Sequence, residues 1–332
     1  MSIVPIASGS QAMPDPSAPR SGPLLAFGLL VVVGLFIGLT TNLVKFATAA
    51  GAAPFSFLFW SVAGSGAVLM AAAAASGRLP RADRRTGEYF LVSGLLSLAL
   101  PNFLIFSAVP HVGAGFAAIS FAFPPLYTYA MAIAFGLEHF RKVRGVGILL
   151  ALVGVVILAA AKTMSGDSSP VWIAATLIAP VIIAAGNIYR TMRWPQGAGS
   201  LSLAPGMLLG AALLLGLASL AATIPLSLPA TTAVLGALAA QIATFSAMYL
   251  LYFMLQKVAG PVYLSQIGSV GAISGAAVAI LVLGEAVPLG LVPAALLIGA
   301  GIFLLSKRSG SAVTPPRRTE PAATATPCRT TG

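Results

Sequence analysis

The side chains able to do chemistry in this sequence are few, and most lie inside long apolar runs. Asn42 and Lys45 stand three residues apart, which sets both on one face of a helix, and Asn187 and Arg190 repeat the arrangement about 145 residues later. Pro101-Asn102 falls near the middle of another apolar run, and Pro124-Pro125 interrupts the next, with Tyr127 just beyond. Further on, Gln241, Thr244, Met248 and Tyr252 recur at helical spacing, flanked by Tyr249 and Gln256, and Ser265-Gln266 follows. Amides, hydroxyls and aromatic rings bind rather than break bonds. A polar-aromatic stripe of this kind recognises an amphipathic solute by stacking and hydrogen bonding.

Each group also has a plainer use. Lys45 and Arg190 could be polar gates at the two mouths of a pathway, or could carry their charges to the interface while Asn42 and Asn187 bond neighbouring helices. Proline removes a backbone donor and frees a carbonyl one turn back, so Asn102 could serve that carbonyl or a ligand. The break at Pro124 could open a site or only kink a helix. The stripe from Gln241 to Tyr252 could face a cavity or a packed helix, and for Gly268, Gly271 and Gly275 packing is the better reading.

Bond-making chemistry finds no support. An enzyme would need a nucleophile with its base, a metal cluster or paired acids. Here His111 and His139 fall at opposite ends of spans, no zinc-type spacing occurs, and no carboxylate lies at the centre of an apolar run. No phosphate-binding Gly-Lys-Ser/Thr loop occurs either. No catalytic residue, metal or cofactor is expected. Glu138 and Glu285 are read as structural, each capping the helix that follows it. The one cysteine, Cys328, excludes an internal disulfide.

The elements that position these groups follow from composition. Of 332 residues 58% are hydrophobic and 8% charged, against about 25% charged in soluble domains. Runs of roughly 20 apolar residues recur almost end to end, and continuous rather than alternating runs indicate helices. The expected fold is an all-α integral membrane protein of ten transmembrane helices, at about 24–46, 54–75, 88–108, 112–136, 146–161, 171–191, 201–223, 232–255, 261–283 and 288–306. Residues 1–23 and 307–332 read as disordered ends, rich in small residues and proline.

A net charge of +11 by itself points toward nucleic acid, but 16 of the 18 Lys and Arg fall in loops and tails on one side of the membrane. Only Lys45 and Lys162 fall on the other. The asymmetry places both termini in the cytoplasm of a cell with the chain in its inner membrane. Shifting the sequence by 147 residues sets Glu138 on Glu285, Gly113 on Gly260 and Gly154 on Gly301. The two halves, 24–162 and 171–306, then hold five spans each, so the second enters from the opposite side. Accordingly the Glu138 turn is followed by Arg141, Lys142 and Arg144, whereas Glu285 to Gly290 carries no base. Two inverted five-helix repeats are the plan of secondary transporters.

Two five-span halves, an Asn-x-x-basic ending in the first span of each, a proline-centred fourth span and a Leu283-Gly284-Glu285 turn resemble the EamA-type transporters of the drug/metabolite transporter superfamily. In the first half the turn reads Gly136-Leu137-Glu138, with an extra residue, and Trp60 stands where that family often has arginine. The resemblance implies a ten-helix carrier with a central cavity, often an exporter of amino acids or other small metabolites. With no charged group recognised at depth, the expected solute is neutral or zwitterionic and partly apolar. A channel-like facilitator or a lipid flippase is the alternative. The expected partners are that solute and the bilayer, with a homodimer left open.

Overall fold

The computed structural model describes residues 23–80, 83–135, 140–164, 169–285 and 291–306. Among them every regular element is helical. In chain order they are α1 (Pro23–Ala49), α2 (Pro54–Ala75), α3 (Arg84–Gly94), a π-helical turn (Leu95–Ala99), α4 (Leu100–Val112), α5 (Ala114–Ser120) and α6 (Pro124–Ala134). There follow α7 (Lys142–Met164), α8 (Pro170–Met192), α9 (Ser200–Ala222), α10 (Thr232–Leu264), α11 (Ile267–Leu281) and α12 (Leu291–Ser306).

Among the described residues, seven stretches are long and apolar enough to cross a bilayer: 24–49, 54–75, 84–112, 114–134, 170–192, 200–222 and 232–259. Shorter apolar helices lie at 267–281 and 292–301. The chain is a multi-pass membrane protein. Large apolar side chains such as Phe27, Leu149, Leu220 and Phe303 point outward, as a lipid-facing surface requires.

Local sequence explains where these helices begin and break. Pro54, Pro124 and Pro170 occupy first turns, where a missing N–H leaves nothing unbonded. The Asp83 carboxylate caps α3 by accepting from the Thr86 N–H at 2.7 Å. The expected span at 88–108 extends over 84–112 and widens in the middle, where the Leu100 N–H reaches back to the Leu95 carbonyl just before Pro101. The span expected at 112–136 is divided: Gly113 takes φ +87° ahead of α5, and Phe121–Phe123 separates α5 from α6. The break therefore lies one turn before Pro124, because proline begins a helix more easily than it continues one.

One boundary differs from expectation. Helical bonding runs from Thr232 to Leu264, past Gly260-Pro261, and the break comes only at Ser265–Gln266. At this depth a continued helix keeps its own backbone bonded, which an open loop would not.

Packing brings distant elements together. α1 lies against α10 and α11, α4 and α6 against α8, α3 and α2 against α9, α5 against α11, and α7 against α12. Gly271 and Gly275 serve the α1–α11 contact, since a Cβ on Gly275 would stand 3.0 Å from the Gly38 Cα. Glu138, Arg81, residues 165–168 and both chain ends lie outside the described residues.

Candidate functional site

Where α4, α8, α10 and the break between α10 and α11 converge, a narrow cavity of about 60 Å³ remains, measured as room for the centres of water-sized molecules. Thr40, Asn102, Asn187, Tyr249 and Tyr252 give it polar lining, with Pro124 and Phe245 among the apolar residues. A wider groove of about 810 Å³ opens along the opposite face of α10, past Leu250, Met254 and Lys257. It lies among the loops and holds no buried polar cluster, so the narrow cavity is the better candidate.

Behind one wall of the cavity sits Arg190, with no exposed surface. Its Nη2 donates to Asn187 Oδ1 at 2.7 Å and to the Tyr252 hydroxyl, its Nη1 to Ser97 Oγ, and its Nε to Gln256 Oε1 at 3.1 Å. The Tyr252 hydroxyl in turn donates to Asn187 Oδ1 at 2.8 Å, and the guanidinium carbon stands 4.9 Å from the Tyr252 ring centre. Each partner owes its place to local structure. Asn187 and Arg190 share a face of α8, Tyr252 and Gln256 share a face of α10, and Ser97 lies in the π turn. Gly186 lets that turn approach, for a Cβ there would meet Ser97 Oγ at 2.3 Å.

Arg190 therefore does not reach the interface, although its place near the helix end suggested that it would. Its four acceptors are all neutral. The premise that no charge lies at depth is corrected by the same observation: a permanent cation is buried one side chain away from the cavity.

Lys45 meets a different environment. Its ammonium pairs with the Glu285 carboxylate, the one ion pair found among the described residues. Glu285 also accepts from the Ala114 N–H at 2.7 Å and the Gly115 N–H at 2.9 Å. Glu285 thus caps α5 from the other half of the chain and ties α5 to α1; the residues between it and α12 lie outside the described ones. A capping partner 170 residues away is invisible to local spacing. Burial raises the Glu285 pKa, but the Lys45 ammonium and the Gly115 and Ala114 N–H groups outweigh it and hold the carboxyl below its ordinary 4.5. One turn before Lys45, Asn42 Nδ2 donates to the Gly38 carbonyl at 2.8 Å and across to the Gly275 carbonyl of α11 at 3.1 Å.

The remaining candidates divide. Asn102 lines the cavity and donates to the Leu98 carbonyl at 2.9 Å, which is the carbonyl one turn before itself rather than the one Pro101 frees. Pro124, Tyr249 and Tyr252 line the cavity. Pro101 is buried in α4 beside it and Thr244 is buried on α10, neither reaching the lining. Tyr127 packs against the core, and Gln266 is the residue before α11, while its neighbour Ser265 lines the space. Gln241 approaches it only through Thr40, donating to Oγ1 at 3.4 Å. Trp60 points outward and bonds the Leu226 carbonyl at 2.8 Å, away from the cavity. Ser97 and Thr40 were not singled out by sequence, since a lone hydroxyl in an apolar helix ordinarily bonds its own chain, as Thr40 does with Phe36.

Residues 24–160 match the model of the EamA-like transporter family. Over this stretch, which is less than half of the chain, the sequence is similar to that family. The family is one of membrane transporters in the drug/metabolite transporter superfamily. A solved crystal structure superimposes with a TM-score of 0.59 at 20% identity, covering 85% of this chain and 96% of the other. That likeness is one of fold alone. No curated protein matches the sequence.

Proposed function

We propose that this EamA-type protein is a secondary transporter of small metabolites, built as two inverted five-span halves and working by alternating access. The reading rests on one observation. Residues lining the cavity occur in pairs 147 residues apart: Thr40 with Asn187, Asn102 with Tyr249, and Phe121 with Gly268. A cavity whose walls repeat at the offset of the sequence echo lies on the pseudo-axis relating the halves, where carriers of this plan bind solute. The helix contacts repeat likewise. α1 on α11 corresponds to α8 on α6, and α1 on α10 to α8 on α4. The echo glycines Gly154 and Gly301 correspond too: a Cβ on the first would meet the Ala294 carbonyl at 2.9 Å, and one on the second the Gly147 carbonyl at 2.4 Å.

Alternating access needs closures that form on one side at a time. Lys45, Glu285 and the start of α5 make such a closure at the outer mouth, joining the two halves through an ion pair and two backbone bonds. The cavity is too small for a metabolite as it stands, so solute entry requires the helices around it to part. Binding then shifts the balance between states only by its differential affinity for them. No carboxylate lines the cavity among the described residues, which favours flux down the solute's own gradient and hence net export of a cytoplasmic metabolite. The chain would lie in the inner membrane with both ends cytoplasmic.

The test is counterflow in proteoliposomes holding the full chain. Labelled amino acids and related metabolites should enter saturably and accelerate when unlabelled solute is inside, with Asn102→Ala or Tyr252→Ala reducing the rate at least tenfold. Flux without saturation or exchange would assign a channel instead. A cysteine at Ala82, with Cys328 replaced, should react only from the cytoplasmic side.

A further inference from the structure

We propose that Arg190 is the anion-recognition element of the carrier and that its solutes bear a carboxylate on a partly apolar, often aromatic, body. The proposal deepens the transport reading and rests on the cavity being the solute site. A guanidinium keeps its charge at any physiological pH. Removing such a charge from water without a counterion is expensive, and a buried ionisable group inside a span is by default functional. Arg190 has no exposed surface, and the groups that receive its hydrogen bonds are an amide oxygen from Asn187, another from Gln256, and the hydroxyls of Ser97 and Tyr252. None carries a negative charge.

The contrast with the outer mouth sharpens the point. Lys45, the basic residue of the matching Asn-x-x-basic pattern, is neutralised by Glu285. Arg190 keeps its charge uncompensated by any acceptor it touches, and does so beside the cavity. Three of its four acceptors, Ser97, Asn187 and Tyr252, themselves line that space. They hold the guanidinium one layer back and ready to be exchanged, because each can rotate toward solute while the cation turns inward. A carboxylate would replace neutral acceptors by a charged one and could accept two parallel N–H bonds from the planar fork. The rest of the lining suits the remainder of such a molecule: Phe121, Phe245, Met248 and the Tyr249 ring are apolar.

The experiment compares matched probes on the purified full-length protein. Acetate, benzoate and 3-phenylpropionate are set against their amides, and binding is read from ligand-induced thermal stabilisation. The expected preference for carboxylate over amide is about tenfold or more, in line with charge-assisted bonds being about twice as strong as neutral ones. In Arg190→Gln the preference should fall below about twofold, and Arg190→Lys, which keeps charge but loses the fork, should be intermediate. A merely structural arginine would leave the ratio unchanged while lowering stability, and that result, or equal stabilisation by acid and amide in the native protein, overturns the proposal. Glu138→Gln is the control for a hidden counterion. If it abolishes the preference as fully as Arg190→Gln does, the cation serves Glu138 and the proposal fails. If Arg190→Gln does not fold, the probe ratio for the native protein and for Arg190→Lys still decides. Carboxylate preference without counterflow would sink the transport reading alone, whereas counterflow without preference would sink only this one.

Discussion

Replacing Glu285 by glutamine tests the outer closure with almost no change of shape. The carboxylate meets three donors: the Lys45 ammonium and the N–H groups of Ala114 and Gly115. Glutamine keeps one acceptor oxygen and turns an NH₂ toward the remaining donors, so at least one backbone bond is lost. Hydrogen bonds to a charged group contribute about 1.5–3 kcal/mol each. The ion pair adds less, roughly 0.5–1 kcal/mol, because the Lys45 side chain is one-third exposed and solvent screens it. The closed arrangement should therefore weaken by about 2–4 kcal/mol, and the lower figure already changes its population about 30-fold. A cysteine at Thr40, which lines the cavity, reports this in a background lacking Cys328. An impermeant maleimide added outside should label it at least tenfold faster in Glu285→Gln. The acid response supplies a second readout. The folded Glu285 pKa lies below its ordinary 4.5, so its stabilisation is complete above that value and is lost as pH falls through the lower, folded value. Thermal stability of the native protein should drop in that window, and the drop should shrink in Glu285→Gln. Unchanged labelling together with an unchanged acid profile would refute a closure held by Glu285.

Two further substitutions probe the packing around the cavity. Gly268→Ala would place a Cβ 1.6 Å from the Phe121 carbonyl oxygen, so α11 must move off the α5–α6 break; overpacking of this kind costs about 1–3 kcal/mol, and thermal unfolding should show the loss together with reduced counterflow. Gln241→Leu should be nearly neutral for stability, within about 1 kcal/mol, since the side chain is fully buried, makes only a 3.4 Å bond to Thr40 and leaves its Oε1 without a partner.

Much of the cavity could be found by asking which polar residues sit at mid-depth. Asn102 beside Pro101, and Tyr249 and Tyr252 on one helix, stood out because polar and broken positions are costly in lipid and few in number. Residues whose roles depend on distant partners were misread or missed. Arg190 looked like a side chain bound for the interface until acceptors 62, 66 and 93 residues away enclosed it. Ser97 looked like any serine until the π turn presented it to α8.

The sequence by itself determined that the chain crosses a membrane as helices, because apolar length and the need to bond every backbone group are properties of each segment alone. Its 147-residue echo and its distribution of Lys and Arg likewise need no contacts to be read. Only the tertiary structure decided which charge is neutralised and which is kept. Lys45 and Arg190 end the same Asn-x-x-basic pattern in sequence, yet one faces a carboxylate 240 residues away and the other a ring of neutral acceptors. The energy of a buried charge depends on what surrounds it within a few ångströms, and folding alone assembles those surroundings.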